Sequence, residues 1–113
     1  MSRILVVDDE INMRRVLAAL LEAYGHTVVQ AGTVLEALAA LAAGEYEVVL
    51  TDHQLPDGQG LRVVRACHEA TPPTPVIVLT AFATVELVVE SMRCGAFDFL
   101  TKPFEPETVR GAI

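Results

Sequence analysis

Asp8, Asp9 and Glu10 stand directly behind the apolar run "ILVV", Asp52 directly behind "VVLT", Thr80 at the end of "VIVLT" and Lys102 shortly after "FDFL". Carboxylates about 4 Å apart repel by roughly 4 kcal/mol per pair at an effective dielectric near 20, so a fold that gathers them must compensate the charge or raise a pKa. Asp8, Asp9 and Asp52 sum to minus three and Lys102 supplies plus one, so a divalent cation would bring the group to neutrality. A small set of oxygen ligands suits Mg²⁺ with several retained waters better than a caged Ca²⁺, or a zinc that needs His and Cys. Mg²⁺ beside a lysine and a hydroxyl is the equipment of phosphoryl transfer, where positioning and charge neutralisation do most of the catalysis. One aspartate then serves as nucleophile. Asp52 is the best placed, with the acid pair on one side and Thr80 and Lys102 on the other.

That convergence requires elements to produce it. Short β-rich runs, "RILVV" (Arg3 to Val7), "TVVQA" (Thr27 to Ala31), "VVLT" (Val48 to Thr51), "VIVLT" (Val76 to Thr80) and "FDFL" (Phe97 to Leu100), alternate with helical patterns. The helical stripes are Met13, Val16, Leu17, Leu20 and Leu21; Leu35, Leu38, Ala39 and Ala42; Leu61 and Val64; and Val85, Val88, Val89 and Met92. Their three- and four-residue spacing predicts that each stripe faces a core. Gly25, Gly44 and Gly95 close three of the helices, while Pro72, Pro73 and Pro75 separate the third helix from the fourth strand. Alternation of strand and helix implies right-handed crossovers and a mainly parallel sheet covered on both faces, an α/β doubly wound architecture. In such sheets ligands bind beyond the carboxyl ends of the strands, where the acids, the threonine and the lysine lie.

Composition narrows the function. A chain of 113 residues with 52% hydrophobic side chains forms one domain without needing staples. A net charge of −7 with eight scattered Lys and Arg argues against direct nucleic-acid binding by this segment. No signal peptide opens the chain and no apolar run approaches the roughly 20 residues of a membrane span, which predicts a cytoplasmic protein with no membrane contact. Cys67 and Cys94 read as small core or near-core residues in a reducing compartment. His26, His53 and His68 lack partners at ligand spacing and fit surface or loop roles.

The series "VVDDE", "TDHQLPDGQGL", "VIVLTA" and "GAFDFLTKPF" resembles the receiver domain of bacterial two-component response regulators over essentially the whole of residues 1–113. The run "TVELVVESMRCGAFDFLTKPF" is especially similar to receivers attached to ATPase activators of alternative-sigma-factor promoters. The resemblance implies a flavodoxin-like (β/α)5 fold with five parallel strands in the order 2-1-3-4-5. It implies that Asp52 is the phospho-acceptor, that Asp9 binds Mg²⁺ directly and Asp8 through water, and that Asp52 and the backbone carbonyl of Gln54 complete the metal site. Lys102 would pair with the phosphoryl group. Thr80 and the amide of Ala81 would move toward it, and Phe99 would swing inward behind them. The bond from Lys102 to Pro103 would be cis. A histidine kinase would be the donor, and the surface of the fourth helix, fifth strand and last helix would control a homodimer and a downstream effector domain, with transcription as the output. Such a chain is a signalling switch rather than a turnover enzyme, although it catalyses its own phosphorylation and dephosphorylation.

Some positions depart from the family pattern. Leu55 replaces the usual Met before the loop proline, and Gln59 stands before Gly60 where many members carry an acid. Gln54 and Phe82 occupy the positions that tune phosphoryl lifetime, and a bulky Phe82 predicts slow self-dephosphorylation. A final helix starting near Pro106 is shorter than the family norm, so the chain reads as the N-terminal piece of a longer protein.

Blander readings exist for every one of these residues. Alone, an Asp-Asp-Glu after a strand is a helix N-terminus, with Glu10 as the cap; Asp52 is a turn residue, Thr80 a strand end and Lys102 a solvated side chain. Phe99, Phe82 and Met92 would simply pack. A flavodoxin-like cofactor binder would need Ser, Thr or Gly amides after the first strand, and a nucleotide binder a glycine-rich loop; neither pattern is present. A Mg²⁺-dependent aspartyl-nucleophile phosphohydrolase would use the same acids, and an interaction-only receiver would need none of them.

Overall fold

The computed structural model describes residues 2–102 except Thr71 and Phe82. Along the chain run β1 (Arg3–Val7), α1 (Ile11–Ala23), β2 (Thr27–Ala31), α2 (Val34–Ala43) and β3 (Val48–Asp52). After a two-residue-per-strand hairpin, β4 (Gln54–Leu55) and β5 (Gly58–Gln59), come α3 (Leu61–Glu69), β6 (Val76–Thr80), α4 (Val85–Arg93) and β7 (Asp98–Thr101). The five long strands form one parallel sheet in the order β2-β1-β3-β6-β7, which is the expected doubly wound 2-1-3-4-5 arrangement.

Continuous apolar strands are explained by burial on both faces. Ile4, Val6, Leu50, Ile77 and Leu79 pack toward Leu17 and Leu21 of α1. Their alternates Leu5, Val7, Val49, Val76 and Val78 pack toward Val34 and Ala37 of α2 and Val63, Val64 and Cys67 of α3. Each fully buried Val, Leu or Ile contributes about 2 kcal/mol of transfer free energy, so the two layers fix strand register together. Burial also pushes the Cys67 thiol up to about 12. Both cysteines are free thiols.

Three helix faces differ from those predicted. On α1 the inward residues are Leu17, Ala18 and Leu21, while Val16 is exposed. On α2, Val34 and Ala37 are buried and Leu35 is 73% exposed. On α4 the pattern is turned outward: Leu87 and Ser91 are buried, whereas Val85 is 78% exposed and Val89 and Met92 are also exposed. In α2 apolar residues occur on nearly every side, so spacing alone does not phase the helix, whereas in α4 the stripe is distinct but Val85, Val89 and Met92 on it are exposed. The last strand begins one residue later than expected, with Phe97 just before it donating its amide to the Val76 carbonyl (2.7 Å) and turning its side chain to solvent.

Helix ends follow local chemistry. Thr33 and Thr84 cap α2 and α4 by accepting from the amides of Glu36 (3.0 Å) and Leu87 (3.1 Å). Glu10 occupies the N-cap position of α1 but its side chain makes no capping bond, contrary to the sequence-based expectation. Gly25 and Gly95 follow α1 and α4 at φ 91° and 103°, a left-handed conformation that glycine adopts without penalty. Gly44 ends α2 in extended backbone instead. The predicted final helix and the Lys102–Pro103 bond lie outside the described residues, as does Phe82.

Candidate functional site

Parallel strands joined by right-handed crossovers present their carboxyl ends at one edge, and there Asp9, Glu10, Asp52, Thr80, Ala81 and Lys102 line an open cleft of about 520 Å³ with Gln54 at its side. Asp8 sits behind these residues, 2% exposed. The Lys102 Nζ donates to Asp8 Oδ2 at 2.7 Å and to Asp52 Oδ2 at 3.2 Å, joining the ends of β1, β3 and β7. Its amide donates to the Thr80 carbonyl at 2.8 Å, which fixes where the side chain departs. Burial disfavours the Lys102 ammonium, but its hydrogen bond to Asp8 and the charges of Asp52 and Asp8 outweigh that cost and raise its pKa above 10.5.

The two oxygens of Asp8 are both engaged, Oδ2 by Lys102 and Oδ1 by the Glu10 amide at 2.9 Å. Asp52 Oδ1 receives only a long contact, 3.4 Å, from the Gln54 amide. Carboxylate oxygens of Asp8, Asp9 and Asp52 lie within 4.8 Å of one another, the one such grouping of metal-binding side chains among the described residues. Hard oxygen donors at that separation fit a Mg²⁺ ion. Asp9 is exposed, whereas Asp8 is buried with both carboxylate oxygens hydrogen-bonded. Thr80 is 2% exposed. Phe99 is half-buried, pairs in register with Val78 and packs against the α2–α3 layer.

Two residues that bear on the site had no assigned role in the sequence. Arg14, on the first turns of α1, donates from Nη1 to the Asp8 carbonyl at 2.7 Å and from Nε to Gln30 Oε1 at 3.3 Å, tying the ends of β1 and β2 together. The signal was a cation one turn beyond the acid pair. Asp57, at the tip of the β4–β5 hairpin, accepts from the amides of Val34 (2.7 Å) and Leu35 (2.9 Å). The Leu35 and Val34 amides hold its carboxyl below the ordinary 3.8. The histidines stay apart from the acids. His26 Nδ1 accepts from the Ser2 amide at 3.2 Å, His53 Nδ1 is buried without a hydrogen-bond partner, and His68 packs beside Gly95.

Space governs the end of the acceptor loop. A Cβ on Gly60 would run into the Asp52 carbonyl oxygen and come within 3.1 Å of Thr51 Oγ1, and the Gly60 amide donates to His53 O at 2.6 Å. Gly60→Ala is therefore expected to push the loop away from Asp52 and lower stability by about 1–3 kcal/mol, the usual cost of overpacking. Urea unfolding measures the loss, and a midpoint equal to the wild type would show that the loop yields freely.

Residues 4–113 match the model of the response regulator receiver domain family, and the chain belongs to that family. It is 40% identical over 104 residues to "Regulatory protein AtoC" of Escherichia coli, an alignment that covers 92% of this chain and 23% of AtoC. The chain therefore spans about a quarter of the length of that relative. Among solved structures it resembles a response regulator from Burkholderia pseudomallei described with a phosphorylated aspartic acid and a calcium ion (TM-score 0.93, 30% identity, 99% of this chain and 66% of that one). It likewise resembles the beryllofluoride-activated NtrC4 receiver domain dimer (TM-score 0.87, 35% identity, 97% and 94%). The resemblance read from the sequence thus holds at the level of the receiver family and of its alternative-sigma-factor activators. Among the described residues no helix is long and apolar enough to cross a membrane.

Proposed function

We propose that this receiver domain accepts a phosphoryl group on Asp52 from a phosphohistidine of a partner kinase and uses it as a conformational switch. The observation that carries this reading is the Lys102 ammonium placed between Asp8 and Asp52 in a cleft that also holds Asp9 and Thr80. A carboxylate oxygen of Asp52 attacks phosphorus, the bond from phosphorus to the donor imidazole nitrogen breaks, and the imidazole leaves with the bond's electron pair and takes up a proton. Asp9, Asp52, the Gln54 carbonyl and, through water, Asp8 would hold a Mg²⁺ ion, which would supply charge neutralisation. Lys102 neutralises charge on the transferring group. Thr80 and the Ala81 amide then move toward the new oxygens, and Phe99 fills the space behind. The phosphorylated Burkholderia protein, with its calcium ion, supports both the acceptor and the metal assignment.

The output surface is proposed to be α4, β7 and the segment after it, which would pair two copies and act on a downstream effector in transcription within the cytoplasm. Exposed Val85, Val89, Met92 and Phe97 give this face an apolar character that a single copy leaves in water. The beryllofluoride-activated NtrC4 receiver domain dimer supports the pairing of two copies. Intact-mass analysis after incubation with acetyl phosphate, with and without Mg²⁺, followed by sizing of the product, tests the reading. One Mg²⁺-dependent phosphoryl group and a change in oligomeric state are expected. A folded, Mg²⁺-binding protein that gains no mass would overturn the switch, and catalytic release of inorganic phosphate from other esters would place the acids in a hydrolase.

A further inference from the structure

We propose that Asp57 is a positioning residue for the metal and acceptor site, anchoring the loop that carries Gln54 to the start of α2. This inference rests on the receiver reading. The β4–β5 hairpin has only two residue pairs, Gln54 with Gln59 and Leu55 with Gly58, and so small a ribbon does not hold its shape alone. Its anchors are the Leu55 side chain in the core, the Gly60 amide on His53 O, and Asp57. The Gly60 amide lies at the base of the hairpin, and Leu55 stands beside the turn, paired with Gly58. Asp57, within the turn itself, is the anchor that ties the hairpin to α2, each of its oxygens taking one amide from 22 or 23 residues away in sequence. Two acceptor oxygens on two donors define an orientation as well as a distance, and the positive end of the α2 dipole favours the carboxylate there. Gln54 lines the cleft from the same hairpin, with its amide near Asp52 Oδ1.

Thr33 accepts from the Glu36 amide and Glu36 Oε1 from the Gly32 amide at 2.8 Å, a local cap that leaves the Val34 and Leu35 amides to Asp57. Thr33 and Asp57 therefore serve the same helix end, one from within and one from the acceptor loop. That pairing separates a helix-capping role from a site-positioning role.

Mg²⁺ titration into the intact protein by calorimetry, beside thermal unfolding, reads both. Asp57→Ala is expected to weaken Mg²⁺ binding about tenfold or more, as loss of an outer partner of a metal site commonly does. Thr33→Ala is expected to lower the unfolding temperature comparably while leaving Mg²⁺ affinity at the wild-type value. Asp57→Asn keeps one acceptor oxygen and is expected to recover part of the affinity; it also serves if the alanine variant does not fold. Wild-type affinity in both Asp57 variants, or equal weakening by Thr33→Ala, would overturn the positioning role while leaving the receiver reading intact. A wild-type protein that binds no Mg²⁺ would overturn both.

Discussion

Asp52→Asn is expected to gain no phosphoryl group from acetyl phosphate under conditions that modify the wild type fully. The substitution is nearly isosteric and replaces an anionic nucleophile with an amide whose oxygen is a poor one. It spares the fold. Lys102 keeps its 2.7 Å bond to Asp8, and one of three crowded carboxylates disappears, so stability without Mg²⁺ should equal or exceed that of the wild type. The combination is diagnostic: an inactive variant that is also unstable would point to misfolding, whereas a stable variant that still gains mass would move the acceptor to another side chain.

Lys102→Ala carries the second large effect, because it breaks a buried ion pair from one side. The side chains of Lys102, Asp8 and Asp52 are 12%, 3% and 16% exposed, which places the trio among pairs whose disruption costs on the order of 3 kcal/mol. At roughly 4–8 °C per kcal/mol for a domain near this size, the unfolding temperature should fall by more than about 10 °C. Mg²⁺ binds the folded acid cluster and stabilises it by mass action, so part of the deficit should return when the ion is added. The pH dependence has a definite sign. Because the folded pKa of Lys102 is raised, its contribution is fully present below 10.5 and is lost as pH rises through the higher folded value. The wild type should therefore show an alkaline loss of stability in that window that the variant lacks. Phosphoryl uptake should persist at a reduced level without the oligomeric response. Unfolding curves with and without Mg²⁺, together with sizing, decide the matter; an unchanged temperature and an unchanged response would remove Lys102 from both roles.

The site was legible in the sequence because a parallel sheet converts four separate strand ends into one place. "ILVV" before Asp8 and "VIVLT" ending in Thr80 each say where a strand stops, and the topology supplies the convergence that no local pattern could. Helix faces were less legible. The α2 segment "VLEALAALAA" has a single polar residue, so Leu35 and Val34 are indistinguishable until a partner is present, and Val34 wins because it meets the β1–β3 layer. In α4, Val85, Val89 and Met92, which spacing assigned to the core, instead face outward, while Ser91 goes in. Asp57 was invisible for a different reason: its turn signal, "PDG", accounts fully for its presence, and the amides it caps lie more than twenty residues earlier.

The bond between Lys102 and Asp8 spans 94 positions of the chain. During synthesis the acid pair emerges near the beginning and the lysine near the end of the described residues, so an unfinished chain carries its carboxylates without their cation. Closing so long a loop becomes favourable only after the intervening strands have assembled. A nascent or clipped molecule that lacks β7 thus holds Asp8 and Asp52 without the cation that joins them. The same contact that balances charge therefore forms only in chains whose last strand has reached the sheet.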